Sequence, residues 1–412
     1  MIADASAVPD RIVVVGAGIA GVSAVQELRS RGHAGKIVLV DGGEHPYDRP
    51  PLSKAYLLGE TGFEAIRLVP DTWFDDNDVE LRARRQAVRL RTSEGAVELD
   101  DGTVLAADAV LLTTGGIARR LPVTGGDLPG VHVLRTVEDA EALRAALVPG
   151  ARAVVVGGGL IGAEVASTAL ALGCEVTLVE PALPPLVPAV GEEIAGLLHE
   201  QHTAGGIRLV GDTVADVTRD GGAGRLSVGT RSGEVLPADV VVVGVGLTVP
   251  GGLAADAGLE TADGILVDRR HRTSHPAVFA AGDNARVRQA DGTARRREHW
   301  QAAQQDGRAA AAGLLGQAPP TAAPDWFWSD RHGVHVEAVG DMRGSRRVLR
   351  GTIGSLPLTV LNLDAAGRVL GAAAVDDTRA IAVARRLIQS GATPEPALLA
   401  DLSVDPRRWL RG

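Results

Sequence analysis

Residues 11–21 read RIVVVGAGIAG, and residues 152–162 read RAVVVGGGLIG. Laid over each other at an offset of 141, the two segments match in pattern at every position. Each is a β-branched run, a glycine turn and then a helix-forming stretch, SAVQELRSR in the first copy and AEVASTALAL in the second. An apolar run follows in each, KIVLV and EVTLV. β-Branched side chains favour an extended backbone, and a strand, a helix and a second strand in close succession form a βαβ unit. Present twice, this unit predicts an α/β chain built on two parallel sheets.

The glycines carry chemistry as well as topology. Gly16-x-Gly18-x-x-Gly21 and Gly157-x-Gly159-x-x-Gly162 each follow a strand and open a helix. The first glycine permits a tight turn, the second admits a pyrophosphate to the backbone, and the third lets helix and strand pack closely. Ala17, Ala20 and Ile161 ride on the same turns and join the candidate contacts. An acid ends the second strand of each copy: Asp41 lies 20 residues after Gly21, and Glu180 lies 18 after Gly162. Such a carboxylate accepts hydrogen bonds from ribose hydroxyls. Two Rossmann-like sites imply two dinucleotides, most simply a bound flavin (FAD) and a diffusing nicotinamide. Glu180 would repel a 2′-phosphate, and the following PALPPLVP offers no arginine to bind one, which favours NADH over NADPH.

Length and composition set the frame around these units. A chain of 412 residues with 45 % hydrophobic content can bury two or three cores. Short pieces such as AVELDDGTVL and RLSVGTRSGEVL predict antiparallel meanders attached to each nucleotide-binding half. ADVVVVGVGLTVP reads as a buried strand ending at Gly244 and Gly246. APPTAAP, residues 318–324, reads as a linker. Beyond it lie three of the five tryptophans and alternating runs such as HGVHVEAVG and LPLTVLNL, which predict a small α+β C-terminal domain.

Composition also excludes. A net charge of −9 rules out a generally basic nucleic-acid binder. The lone Cys174 rules out an intramolecular disulfide, a CxxC redox pair and a cysteine zinc site, so no metal is expected. It is compatible with the reducing cytoplasm. The start, MIADASAVPDR, lacks the layout of a secretion leader, and the uncharged stretch 240–255 is too short and too interrupted for a bilayer span. Only two of the 42 basic residues are lysine, Lys36 and Lys54.

Several segments together carry a resemblance: both fingerprints, PYDRPPLSK (46–54), LLTTGG (111–116), TSHPAVFAAGD (273–283), EHW (298–300) and FWSD (327–330). In this order the chain resembles the FAD-dependent ferredoxin reductases that serve bacterial Rieske-type oxygenases and cytochromes P450. The resemblance implies a glutathione-reductase-like architecture. The FAD domain would be discontinuous (1–115 and 247–325), with an NAD domain (116–246) between its parts and a C-terminal domain (326–412) covering the flavin. It implies FAD contacts for Arg49, Lys54, Ala87, Arg135, Asp283 and Trp300, and a place for Trp328 beside the flavin. Gly246 falls among the nucleotide contacts. Thr113-Thr114-Gly115 departs from the family's usual ATG, and Asp306-Gly307 from its usual Gln-Gly pair.

The chemistry so implied moves hydride from NADH to FAD, after which electrons leave singly to a [2Fe–2S] ferredoxin. Lys54 is the candidate for adjusting charge at that step. Where nearly every other base is arginine, its compact ammonium stands out. The resemblance adds Glu164 as its partner, a counter-charge that a buried ammonium needs. Disulfide reductases of the same fold need two cysteines and NADH peroxidases one near residues 50–54, whereas Cys174 begins a buried strand and reads as structural. An acidic ferredoxin needs a basic landing surface, for which Arg295, Arg296, Arg297, Arg343, Arg346, Arg347 and Arg350 are candidates. A monomer or weak dimer is expected. Rubredoxin reduction, diaphorase or oxidase activity, and an NADH-sensing role of the apoptosis-inducing-factor type stay open as alternatives.

Overall fold

The computed structural model describes residues 8–219, 225–344 and 346–411. Residues 1–7, on which the reading of the N-terminal start rests in part, lie outside the described residues. The chain divides into two compact units, residues 1–49, 62–117 and 247–322 in the first, and 50–61, 118–246 and 323–412 in the second.

The first unit is built on a five-stranded parallel sheet in the spatial order Val278–Ala280, Ala109–Leu112, Arg11–Val15, Lys36–Val40, Val79–Arg82. Successive side chains of a strand point to opposite faces. Ile12, Val14, Ile37 and Leu39 therefore enter one core, with helices Ile19–Ser30 and Trp300–Leu314 over them. Val13, Val15, Val38 and Val40 enter the other, beneath the meander Ala87–Arg91, Ala96–Leu99, Val104–Ala106. Burial on both faces explains why these strands read as unbroken apolar runs. The two helices pack so closely that a Cβ at Gly307 would meet the Ala20 carbonyl oxygen at 2.1 Å.

The second unit repeats the plan. Its parallel sheet runs Arg208–Val210, Glu175–Val179, Arg152–Val156, Val240–Val243, Val131–Val133. The expected meander is present as Val214–Arg219, Leu226–Thr230 and Val235–Ala238. Residues 318–324 form no helix or strand. Beyond them an antiparallel sheet runs Trp326–Arg331, Val334–Gly340, Val369–Val375, Leu358–Leu363, Arg346–Arg350. Helix Thr378–Ser390 covers one of its faces, with Ile381, Ala384 and Leu387 on Leu361, Ala372 and Ala374. The other face, with Val336, Ala338, Val360 and Ala373, packs on Ile194, Leu197 and Leu198 of helix Glu192–Ala204. The C-terminal sheet thus shares a core with the part of its unit that carries the parallel sheet. Among the described residues, no helix is long and apolar enough to cross a membrane.

Candidate functional site

Each unit carries one glycine turn, and the two turns have the same internal logic. Gly16 has φ +104°, and a Cβ there would meet the Thr113 carbonyl oxygen at 2.3 Å. A Cβ at Gly21 would lie 2.0 Å from the Gly16 carbonyl oxygen. In the second unit, Gly157 (φ +101°) and Gly162 are constrained in the same way, by the carbonyl oxygens of Gly244 at 2.5 Å and Gly157 at 1.9 Å. The middle glycines differ. A Cβ at Gly159 would meet nothing within 4 Å, and at Gly18 only the tip of Arg49 at 3.5 Å. The fold's own packing demands the outer glycines but not the middle ones, where the open space is what an approaching phosphate requires.

The acids sit where the spacing predicts. Asp41 accepts from the backbone N–H of Ala17 (2.6 Å) and Gly43 (2.8 Å), and Glu180 from Gly158 (2.8 Å) and Ala182 (3.0 Å). In both units the acid is fixed against its glycine turn. Ala17 and Ala20 are buried, whereas Ile161 stands 45 % exposed beside the second turn, an apolar face open to a ligand.

Other expected residues of the first unit surround its sheet. Trp300 begins its helix and donates from Nε1 to Asp48 (2.6 Å), next to Arg49. Asp283 follows strand Val278–Ala280, and its carbonyl oxygen accepts from Arg296 (3.4 Å). Ala87 opens the meander. Both departures from the family pattern have local causes. The Thr113 hydroxyl donates to the carbonyl oxygens of Gly16 (2.7 Å) and Val15 (3.0 Å), tying the strand end to the turn. Asp306, 2 % exposed, pairs with Arg297 and lies 3.7 Å from His271 Nε2. Asn284, missed in the sequence, is fully buried and donates to Leu112 and Thr114.

Lys54 and Glu164 meet in the second unit. Lys54 Nζ donates to Glu164 Oε2 (2.9 Å) and to the Pro50 carbonyl oxygen (3.0 Å). Glu164, 2 % exposed on helix Leu160–Ala171, also accepts from Ser53 Oγ (2.5 Å) and, through Oε1, from Ser329 Oγ (2.8 Å). Thr168, one turn further on, binds the Ser53 carbonyl oxygen (2.8 Å). Neither serine was singled out in the sequence, although FWSD contains one of them. Trp328 is half-buried and stacks on Trp326, with ring centroids 5.0 Å apart at 24°. Arg135 and Gly246 also belong to this unit; the backbone N–H of Arg135 donates to Asp139 (2.9 Å), and Gly246 accepts from Arg119 (2.9 Å).

Cys174 is buried, its thiol against the Val148 carbonyl oxygen, and burial pushes its pKa up, away from the reactive thiolate. Among the described residues no histidine, cysteine and carboxylate group is arranged to hold a metal ion. The arginines divide by use. Arg350 is 5 % exposed, lies over Trp409 and donates to the carbonyl oxygens of Asp401 and Val404, so it cannot form part of a landing surface. Arg296 pairs with Asp263 and Glu298, Arg343 with Asp341, and Arg347 with Glu192 and Glu193. Arg295 and Arg346 are exposed.

Two dinucleotide cradles on one α/β chain define a pyridine-nucleotide oxidoreductase. Residues 10–307 match the pyridine nucleotide-disulphide oxidoreductases, and residues 326–410 match the reductase C-terminal family. The ferredoxin–NAD(+) reductase component of the anthranilate 1,2-dioxygenase system of Burkholderia cepacia is 39 % identical over 406 residues, covering 97 % of this chain and 99 % of that protein. The corresponding component of the p-cumate 2,3-dioxygenase system of Pseudomonas putida is 37 % identical, covering 96 % and 98 %. Among solved structures, the reductase in the covalent putidaredoxin reductase–putidaredoxin complex matches with a TM-score of 0.91 and 33 % identity, over 98 % of both chains. The ferredoxin reductase for the CYP199A2 system of Rhodopseudomonas palustris matches with a TM-score of 0.90 and 34 % identity, over 97 % and 99 %. The chain belongs to the ferredoxin reductases of the pyridine nucleotide-disulphide oxidoreductase family.

Proposed function

We propose that this chain is an NADH-dependent ferredoxin reductase of the cytoplasm, which oxidises NADH through bound FAD and reduces a [2Fe–2S] ferredoxin supplying an oxygenase. The observation that carries the reading is the repeated cradle, with its open middle glycine and an acid hydrogen-bonded to the turn. FAD, when bound, supplies the conversion of a two-electron hydride into two single electrons. The first turn, Gly16 to Gly21 with Asp41, holds its diphosphate and ribose, and Arg49, Ala87, Arg135, Asp283 and Trp300 are assigned to the rest. The second turn, Gly157 to Gly162 with Ile161 and Glu180, holds NADH. Lys54, with Glu164 as its counter-charge, is assigned to adjust the charge at the hydride-transfer step, and Trp328 to flank the flavin pocket.

The divisions 1–115 with 247–325, 116–246 and 326–412 are the domains we assign. For the ferredoxin we assign a landing set of two arginine groups, Arg295, Arg296 and Arg297 in the first unit and Arg343, Arg346 and Arg347 in the second. Within it, Arg295 and Arg346 have the charge least committed to the chain's own acids. The protein acts as a monomer or weak dimer.

The test is NADH-driven cytochrome c reduction by the FAD-loaded protein, with and without a [2Fe–2S] ferredoxin, repeated with rubredoxin and with NADPH. Strong dependence on the ferredoxin, falling as salt screens the arginines, is the expected result. Equal rates without ferredoxin would replace this reading with a diaphorase.

A further inference from the structure

Glu164 is surrounded by more positive charge than one carboxylate balances. Strand Trp326–Arg331 lies against helix Leu160–Ala171, and its last two inward-facing residues are Ser329 and Arg331. Two residues apart on one strand, they share a face. Ser329 is fully buried and reaches Glu164 directly, while Arg331 is 3 % exposed. None of the Arg331 guanidinium nitrogens makes a hydrogen bond to a described residue. Burial pushes the Arg331 pKa down to about 10, and the field of Glu164 acts the other way, so the guanidinium stays charged at neutral pH. The adjoining His332 and His202 share a hydrogen bond (2.7 Å), and burial holds both pKa values below the ordinary range, so this pair adds no charge at neutral pH. The buried cluster therefore holds two cations, Lys54 and Arg331, against the single carboxylate of Glu164.

A buried ion pair that loses one partner ordinarily leaves an uncompensated charge, which resists separation of the two groups. Here the carboxylate retains Ser53, Ser329 and the Arg331 field whatever Lys54 does. We infer that Arg331 is a positioning residue acting through Glu164: it is a second counter-charge that keeps the carboxylate fixed and lets Lys54 leave it during hydride transfer. The inference rests on the Lys54–Glu164 assignment made above. It also gives the first strand of the C-terminal sheet a part in the NADH half-reaction, separate from ferredoxin docking.

The test is a double-mutant cycle of Arg331→Gln and Glu164→Gln, with Arg331→Met as a packing-preserving alternative should the glutamine variant fold poorly. Three quantities are read: the limiting rate of FAD reduction by NADH in stopped flow, the NADH dissociation constant, and the thermal midpoint. Arg331→Gln should slow the limiting rate roughly tenfold while leaving NADH affinity within about twofold, and Arg331→Lys should restore most of the rate. With Glu164→Gln already present, Arg331→Gln should have no further effect on the rate. It should also raise the thermal midpoint there, because it removes an unbalanced buried charge, whereas it lowers the midpoint when Glu164 is intact. Equal rate losses in both backgrounds would overturn the role of Arg331 and leave that of Glu164 standing. If Glu164→Gln itself leaves the rate unchanged, the Lys54–Glu164 assignment falls, and this inference with it.

Discussion

Both oxygens of Glu180 accept backbone N–H groups, from Gly158 and Ala182, so the carboxylate is fixed at the mouth of its glycine turn before any ligand arrives. Its remaining lone pairs can accept ribose hydroxyls, and its charge opposes a 2′-phosphate. Replacing Glu180 by Ser together with Ala182 by Arg removes the repulsion and adds a cation. The NADPH-to-NADH ratio of kcat/KM should then rise by roughly a hundredfold, read from steady-state kinetics with each coenzyme. An unmoved ratio would place the discrimination elsewhere. The placement of Asp41 and Glu180 against their glycine turns was legible in the sequence because a βαβ unit is continuous, so spacing along the chain stands in for distance in space. The environment of Glu164 was not legible in the same way. Ser53 lies 111 positions away and Ser329 lies 165 away, and only the folded topology brings them to one carboxylate. Arg331 carried no signal at all in the sequence, since a strand-end arginine ordinarily points to water.

At the scale of the element, three glycines with one spacing do different work, and substitution separates them. Gly162 opens the second-turn helix against the Gly157 carbonyl oxygen, which an added Cβ would overlap at 1.9 Å. Gly162→Ala should therefore destabilise the fold by about 3 kcal/mol or more, read as a lowered thermal midpoint without ligand. Gly159 has φ −64° and free space where its Cβ would be, so Gly159→Ala should leave the midpoint within a few degrees of the parent. Its effect should appear in NADH binding, weakened roughly tenfold by the methyl group where a phosphate must approach. If both variants lost stability equally, the middle glycine would be structural, and the case for that cradle would fail. The sequence located these elements well because their strands are apolar on both faces, as Val13 and Val14 show by entering opposite cores. It located two of the five C-terminal strands, Val334–Gly340 and Leu358–Leu363, by their apolar alternation in sequence. Alternation states that a face is buried and is silent on what buries it.

That silence matters most for the whole molecule. The linker at 318–324 and the tryptophans beyond it suggested a small α+β C-terminal domain; one face of its sheet packs on its own helix Thr378–Ser390, and on the other Val336, Ala338 and Val360 bury against the helix Glu192–Ala204. At the same boundary His332, held at φ +50°, reaches His202 on that helix. His202 is 1 % exposed, and its pKa is pushed down to about 3, first by burial and then by the charges of Arg331, His332 and His199. His332 is shifted the same way, by burial and Arg331. A histidine whose pKa is lower folded than unfolded binds its proton first in the unfolded chain. Stability is therefore whole above the ordinary value of 6.5 and drains away as pH falls from there toward 3. Between pH 7 and pH 4.5 the loss through His202 should amount to roughly 2 kcal/mol, measured as the difference between urea-unfolding free energies at the two values. His202→Phe fills a similar volume and cannot titrate. It should be less stable than the parent at pH 7, where the hydrogen bond to His332 is lost, and should lose distinctly less on acidification. Parallel losses in parent and variant would assign the acid sensitivity to other groups. A shallower slope in the variant would place it at the seam where the C-terminal sheet meets helix Glu192–Ala204, beside the contact of Ser329 with Glu164 on helix Leu160–Ala171.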